Sequence, residues 1–486
     1  MNPSVFKAGY LPGLRESDVA WRRVTLGDQG NAVQVDLPEL TGAQVKALAA
    51  RVRAASTTQL KALPVSDIIQ IIDAAIARLL DPSDPYRQTL DQLLPKATGF
   101  DAEMTRLGLN AYLRTFRALQ LQRFVAEDFA NPKVLDEFQP RIKGGWSKAL
   151  GPDLLVHVWA GNVPALPLWS FVSGLLVKAG AIGKVASAEP IFASVFARLL
   201  AEVEPRWADC FAIVAWPGGD AAMERCVFAE ADVVLAYGGN EALSAMKERV
   251  PLTTRFLPHG HKLSFGMVSR AALSVRRGQA TARLAALDVA RYDQQGCYSP
   301  QVFYVERGAA TSPQEFAQHL AGELGALAHK MPRRALLLEE AASTAKWRES
   351  HAFETLRQPA HAVLGDMSQA FTVVYADTPI PLAPSPLNRC VVVAGIDALD
   401  VVLPLIAEQR AYLQTVGVAA SPEELLTLGQ KLGQSGATRI CALGAMTSPE
   451  AGWHHDGRFS LLDLVRMVDI DDSAERAAEN FTGYEP

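Results

Sequence analysis

The chain has 486 residues, 49% of them hydrophobic and 20% charged, which implies two or three packed domains and excludes a disordered chain. Its 47 Lys and Arg against 52 Asp and Glu leave a net charge of −5, with no basic excess for nucleic acid and no acidic tail. Five cysteines without CxxC spacing or a nearby His argue against a metal site or a disulfide framework and fit a reducing compartment.

The N-terminus carries no apolar targeting segment. The most apolar stretch, 163–182, is interrupted by Pro164, Pro167 and Lys178, so it reads as a buried helix rather than a membrane span. A cytoplasmic protein is expected.

The first ~130 residues read as mostly helical by their apolar spacing. An Ala-rich helix ends near Ser56, and Pro64 opens another through Ile68, Ile69, Ile71, Ile72 and Ala75. One amphipathic helix is predicted from Asp101 to about Phe129, as packing without chemistry. From Leu154 short β-branched runs alternate with helical ones. Strands are predicted at 155–159, 183–187, 211–215 and 232–236, the last two followed by Gly218-Gly219 and Gly238-Gly239. This alternation predicts a parallel sheet covered on both faces, with ligands beyond the carboxyl ends of its strands. A second α/β region starts near Lys262, with strands at 263–268, 301–305, 371–375, 390–394 and 439–443.

Cys210, Cys390 and Cys441 lie in or beside apolar strands and Cys226 in a helix, where thiols act as small hydrophobes. Cys297 differs. It sits in a polar turn, Asp293-Gln294-Gln295-Gly296-Cys297-Tyr298-Ser299-Pro300, where a thiolate suits attack on a carbonyl or thioester carbon. Asn162, just past the first strand of the sheet, offers an amide to a developing oxyanion, or merely caps the helix that follows. The two Gly pairs admit a phosphate or are plain strand–helix turns. Lys184 at a strand end meets a ribose or phosphate, or is a solvated lysine. His454-His455-Asp456 offers a base beside a carboxylate, although adjacent side chains point apart and a pocket-lining turn explains them equally.

Together these blocks resemble the acyl-CoA reductases of the LuxC type, a branch of the aldehyde dehydrogenase superfamily, over roughly residues 60–470. The resemblance rests on Gln294 to Gln301, Gly161-Asn162-Val163-Pro164, Gly436-Ala437-Thr438-Arg439-Ile440 and His455-Asp456-Gly457. It implies an aldehyde-dehydrogenase-like α/β fold. A helical N-terminal region and a Rossmann-like NADP-binding domain would span 1–262, with a possible oligomerisation hairpin at 135–155. A catalytic domain with the nucleophile would span 263–445 and a C-terminal segment 446–486. It also implies Cys297 as nucleophile and Asn162 as oxyanion donor. Trp159, Lys184, Ser187, Gly218, Gly238 and Gly239 would meet the cofactor, and His455 would line the substrate pocket.

Three departures from the superfamily carry meaning. The block that holds the water-activating Glu of hydrolytic members reads Leu257-Pro258-His259-Gly260-His261-Lys262, without a carboxylate. Ser187 stands where an acid would repel a 2′-phosphate, so NADPH is expected over NADH. The Glu block that holds the nicotinamide ribose is not visible, and Ser385-Pro386-Leu387-Asn388-Arg389 lies roughly in its place. The expected activity is NADPH-dependent reduction of a long-chain fatty acyl-CoA, or of a protein-bound acyl thioester, to the aldehyde. A homo-oligomer is expected. The alternatives are an aldehyde dehydrogenase making free acid and a non-catalytic subunit of a reductase complex.

Overall fold

The computed structural model describes residues 5–27, 30–358, 360–365 and 368–479. The chain opens on strands, not helices: β1 (Phe6–Lys7), β2 (Ala20–Leu26) and β3 (Val33–Glu39) form a small sheet in the order β1-β3-β2. The mostly helical reading of the first ~130 residues holds from Gly42 onward and fails only for the strands before it. β2 is largely exposed and carries Arg22 and Arg23, so no apolar run announces it.

Helices α1 (Gly42–Ala55), α2 (Val65–Leu80), α3 (Pro85–Thr98), α4 (Ala102–Arg114) and α5 (Ala118–Asp128) follow. α1 starts on a capping box made by Thr41 and Gln44. α2 buries Ile68, Ile69, Ile72, Ala75, Ile76 and Leu79 at helical spacing. Each of its larger side chains contributes about 1.5–3 kcal/mol by leaving water. The single helix expected over 101–129 is broken. Asp73 of α2 accepts the Ala118 backbone N–H at 2.8 Å and starts α5 afresh, and the break turns Phe116 fully into the core.

β4 (Gln139–Pro140) and β5 (Trp146–Leu150) form an antiparallel hairpin, within the stretch expected to hold one. Next come β6 (Leu154–Val158), α6 (Pro167–Leu176), β7 (Gly180–Lys184), α7 (Ile191–Val203), β8 (Phe211–Val214), α8 (Ala221–Phe228), β9 (Val233–Tyr237), α9 (Asn240–Lys247) and β10 (Arg255–His259). Their strands make a parallel sheet in the order β10-β9-β6-β7-β8. β7 begins three residues before its expected start. α6 ends early at Leu176, Lys178 turns the chain at a φ of 63°, and the strand uses the apolar run that follows.

The second parallel sheet is built from β11 (Leu263–Val268), β12 (Pro300–Glu306), β13 (Ala362–Leu364), β14 (Thr372–Ala376), β15 (Cys390–Ile396), β16 (Leu413–Ala419) and β17 (Arg439–Ala442). Its order is β13-β14-β15-β12-β11-β16-β17, with only β13 antiparallel to its neighbour. α10 (Gly278–Ala290), α11 (Pro313–Lys330) and α12 (Leu338–Arg357) accompany it. β18 (Arg466–Ile470) returns to pair with β5, giving a three-stranded arm in the order β18-β5-β4.

The link between the two large sheets is short. β10 ends at His259 and β11 starts at Leu263. The carboxyl edge of the first sheet therefore faces the amino edge of the second, where the loops entering β11, β12 and β16 gather. No described helix is long and apolar enough to cross a membrane.

Candidate active site

A cavity of about 570 Å³ lies between these two edges. From the first sheet it receives Asn162 after β6, and Gly238 and Gly239 after β9; from the second it receives Cys297 before β12 and Gln414 at the start of β16. β6 has β7 on one side and β9 on the other, so chain order reverses beside it, as at the ligand crevice of an open α/β sheet.

The Cys297 loop is held by an unusual backbone. Tyr292, Asp293 and Gln294 are all left-handed, with φ of 49°, 50° and 64°. A second left-handed run, Leu387, Asn388 and Arg389 at 58°, 55° and 65°, packs against it. Each such residue costs about 1–2 kcal/mol relative to an ordinary turn, so the surroundings must impose the shape. They do so with polar staples. The Arg389 Nε donates to Asp293 Oδ1 at 2.7 Å, and both side chains are wholly buried. Asn388 N donates to the Asp293 carbonyl at 2.9 Å. Gln294 Nε2 donates to the Pro300 and Cys390 carbonyls, and its Oε1 accepts Cys390 N at 2.8 Å. The Cys297 carbonyl accepts the Ser264 hydroxyl at 2.7 Å. The block Ser385–Arg389 thus grips the Cys297 loop, and Leu387 reaches the cavity.

Asn162 crosses from the first sheet to this loop. Its Nδ2 donates to the Gln295 carbonyl at 2.7 Å, leaving the second amide hydrogen for a ligand. Burial pushes the Cys297 thiol up to about 11; the charge of Asp456 adds to this, while a hydrogen bond from Gln414 and the charge of Lys262 act against it.

Behind Cys297 lies a cluster of rings. His259 Nδ1 meets Asp456 Oδ2 at 2.9 Å, and Gln414 Nε2 donates to Asp456 Oδ1 at 2.7 Å. The His259 ring stacks with Tyr237, at 4.8 Å, and with His455, at 4.5 Å, and those two rings lie 6.1 Å from each other. Burial works to raise the Asp456 carboxyl, but the hydrogen bond from His259 and the neighbouring His455 hold it well below the usual carboxylate range. Burial, reinforced by His259, pushes His455 down to about 3. His455 lines the cavity, and its Nε2 is 3.9 Å from Asp456, so Asp456 serves a histidine 197 residues away rather than its neighbour.

Much of the remaining wall is apolar. α4 presents Met104, Leu107, Gly108, Ala111 and Thr115 to the cavity, while Leu109 and Leu113 face the core. A helix read as packing alone therefore lines the site. A side chain at Gly108 would overlap the Tyr292 hydroxyl.

The other expected residues are spread along the first sheet's carboxyl edge. Lys184 ends β7, only 8% exposed and without an anionic partner; burial pushes its ammonium down, and Glu224 pulls it back. Ser187 is exposed three residues beyond the strand. Trp159 turns its ring into the core, where Nε1 donates to Ser170 Oγ at 2.8 Å, so it offers the edge only its main chain. Gly219 is left-handed at φ 83°, and Gly218 and Gly239 have no atom within 4 Å of a notional Cβ. Gly218 stands apart from the cavity. A buried cation without an anion, open glycines and a parallel-strand edge together fit a dinucleotide.

Comparison with known proteins gives the same outline. The model of the acyl-CoA reductase (LuxC) family matches residues 60–467. The chain belongs to this family. LuxC-type relatives include the long-chain acyl-protein thioester reductase of Photorhabdus luminescens, 26% identical over 457 residues covering 93% of this chain and 90% of the relative. The Aliivibrio fischeri protein of that name is 28% identical over 388 residues, covering 79% and 77%. The fold is that of aldehyde dehydrogenases. Aldehyde dehydrogenase 21 of Physcomitrella patens, in complex with succinate, superposes with a TM-score of 0.74 over 97% of this chain and 99% of its own, at 14% identity. The NADP-dependent glyceraldehyde-3-phosphate dehydrogenase of Bacillus halodurans, complexed with NADP, gives 0.71 over 96% and 98%, at 11% identity.

Proposed function

We propose that this LuxC-family chain reduces a long-chain acyl thioester to the aldehyde, with NADPH as reductant, through an acyl group carried on Cys297. The observation that carries the reading is Cys297 beside the Asn162 amide in a cavity with a largely apolar wall. Cys297 attacks the thioester carbonyl, the free Asn162 N–H and the loop backbone hold the oxyanion, and the donor thiol leaves. The cofactor supplies the hydride when bound. Lys184 would hold its adenosine ribose, Gly238 and Gly239 its pyrophosphate, and Ser187 would leave room for a 2′-phosphate. The acyl donor is a CoA ester or an acylated protein, as the family's name and the relatives' names respectively say. The arm exposes Phe138, Ile142, Trp146 and Met467, and we assign it to subunit contact in a homo-oligomer.

The test is NADPH oxidation with acyl-CoA esters of graded length and with an acylated carrier protein, alongside NADH. Wild-type protein should yield aldehyde with NADPH, and Cys297→Ala should lose activity by about 10³-fold or more. Undiminished turnover by Cys297→Ala would end this reading.

A further inference from the structure

Pro258 occupies the position of the superfamily's water-activating carboxylate, yet the reductase cycle still moves protons at sulfur. We propose that His259, Asp456 and Gln414 form the proton relay of Cys297, a role that rests on the acyl-Cys297 reading above.

The geometry is that of an oriented base. Asp456 fixes His259 through Nδ1, which leaves Nε2 as the working nitrogen. Tyr237 and His455 both stack on the ring, with planes within 18° and 9° of its own. Asp456 itself sits at a left-handed φ of 55°, a shape retained at a cost. Gln414 is 1% exposed, donates to Asp456 and lines the same cavity as Cys297, so it joins the pair to the wall that carries the sulfur. Behind the ring stack is a second cavity of about 20 Å³, room for one water, lined by Ser170, Tyr237, His259, His455, Arg458 and Asp463. Arg458 and Asp463 pair at 3.1 Å and are partly exposed, so the back of His259 communicates with solvent while an acyl chain fills the front.

The proton balance follows. During acylation the Sγ–H proton passes to His259 as the Sγ–C bond forms, and returns to the donor sulfur as its C–S bond breaks. A bound reduced dinucleotide would supply hydride to the acyl carbon, and collapse of the resulting alkoxide to the aldehyde would release Cys297 as thiolate. His259 then returns one proton to it, drawn from solvent through the rear cavity. One proton is consumed per aldehyde. His259 touches Asp456, His455 and Tyr237; Cys297, Lys262, His261 and Arg291 line the main cavity with it, and Arg458 and Asp463 line the smaller one.

The experiment uses His259→Gln and Asp456→Asn in the full-length protein. It follows iodoacetamide alkylation of Cys297 against pH by peptide mass, acyl-enzyme formation from a long-chain acyl-CoA and from an acylated carrier protein by intact mass, and the aldehyde-to-acid ratio. Wild type should show a limb in the alkylation profile that both variants lack. His259→Gln should form acyl-enzyme about 10²-fold more slowly at an unchanged unfolding midpoint, with partial rescue by imidazole. Wild-type profiles and rates in both variants would overturn the relay. So would loss of free-acid formation alone, which would assign the pair to water. A wild-type protein that accepts no acyl group from either donor would end the functional reading, and the alkylation profiles would still decide the relay.

Discussion

The two sheets meet at one cavity but prepare for their ligands in opposite ways. The first sheet's edge is open: among the described residues Lys184 makes no ion pair, and Gly218 and Gly239 touch nothing with a notional Cβ. The second sheet's edge is forced. Six left-handed non-glycine residues in two runs are stapled to each other to aim one sulfur. On the proposed function, the open edge would be completed by a cofactor that comes and goes, and the strain would hold Cys297 in the one orientation that meets a carbonyl.

That contrast can be broken first on the forced side. Arg389→Met leaves Asp293 charged and unpaired where both side chains are fully buried. A loss of about 3–5 kcal/mol in stability is expected, along with the defined Cys297 loop. Denaturant unfolding and iodoacetamide labelling would check it; a stable variant with normal labelling would show that the staple is unnecessary.

The next effect lies in the first sheet's interior. His157 on β6 is fully buried among Trp159 and Phe171, both ring nitrogens lack partners, and burial pushes it down to about 3. The unfolded chain binds a proton near pH 6.5 and the folded chain does not, so stability is complete above pH 6.5 and falls as pH drops towards 3. By pH 5 each such histidine costs about 2 kcal/mol. His455 behaves alike, so His157→Leu should remove about half of this acid dependence, read as the change in urea midpoint between pH 7 and pH 5.

The smallest effect sharpens the open side. Ser187→Glu places a carboxylate beside Lys184, where it would repel a 2′-phosphate. The ratio of kcat/KM for NADPH over NADH should fall by about tenfold, with the maximal rate nearly kept, in line with about 1 kcal/mol for a partly exposed charge pair. An unchanged ratio would move the phosphate away from this turn.

What the sequence discloses follows the same divide. Cys297, Asn162 and the His455-Asp456 turn each sit in a short contiguous block, and the β-branched runs announced most of both parallel sheets. The rest depends on partners far apart in the chain. Gln414 lies at the start of β16, a strand no pattern flagged, and nothing local says that it faces Asp456. The His259–Asp456 pair joins residues 197 apart. α4 has two working faces, and its buried Leu109 and Leu113 stripe hid the cavity face at Leu107, Gly108 and Ala111. The N-terminal sheet was overlooked because β2 is mostly exposed and so shows no apolar alternation.

The Arg389–Asp293 staple also bears on how the enzyme comes into being. Its two ends are 96 residues apart, and the strand that follows Arg389 must be in place before the Cys297 loop can take its shape. On the ribosome, Cys297 emerges long before Arg389 does. The nascent chain therefore carries an ordinary thiol for several seconds of synthesis, at about 5–20 residues per second. On the proposed function, a competent Cys297 would appear only when the second sheet closes, so the nascent chain would capture no acyl group before then.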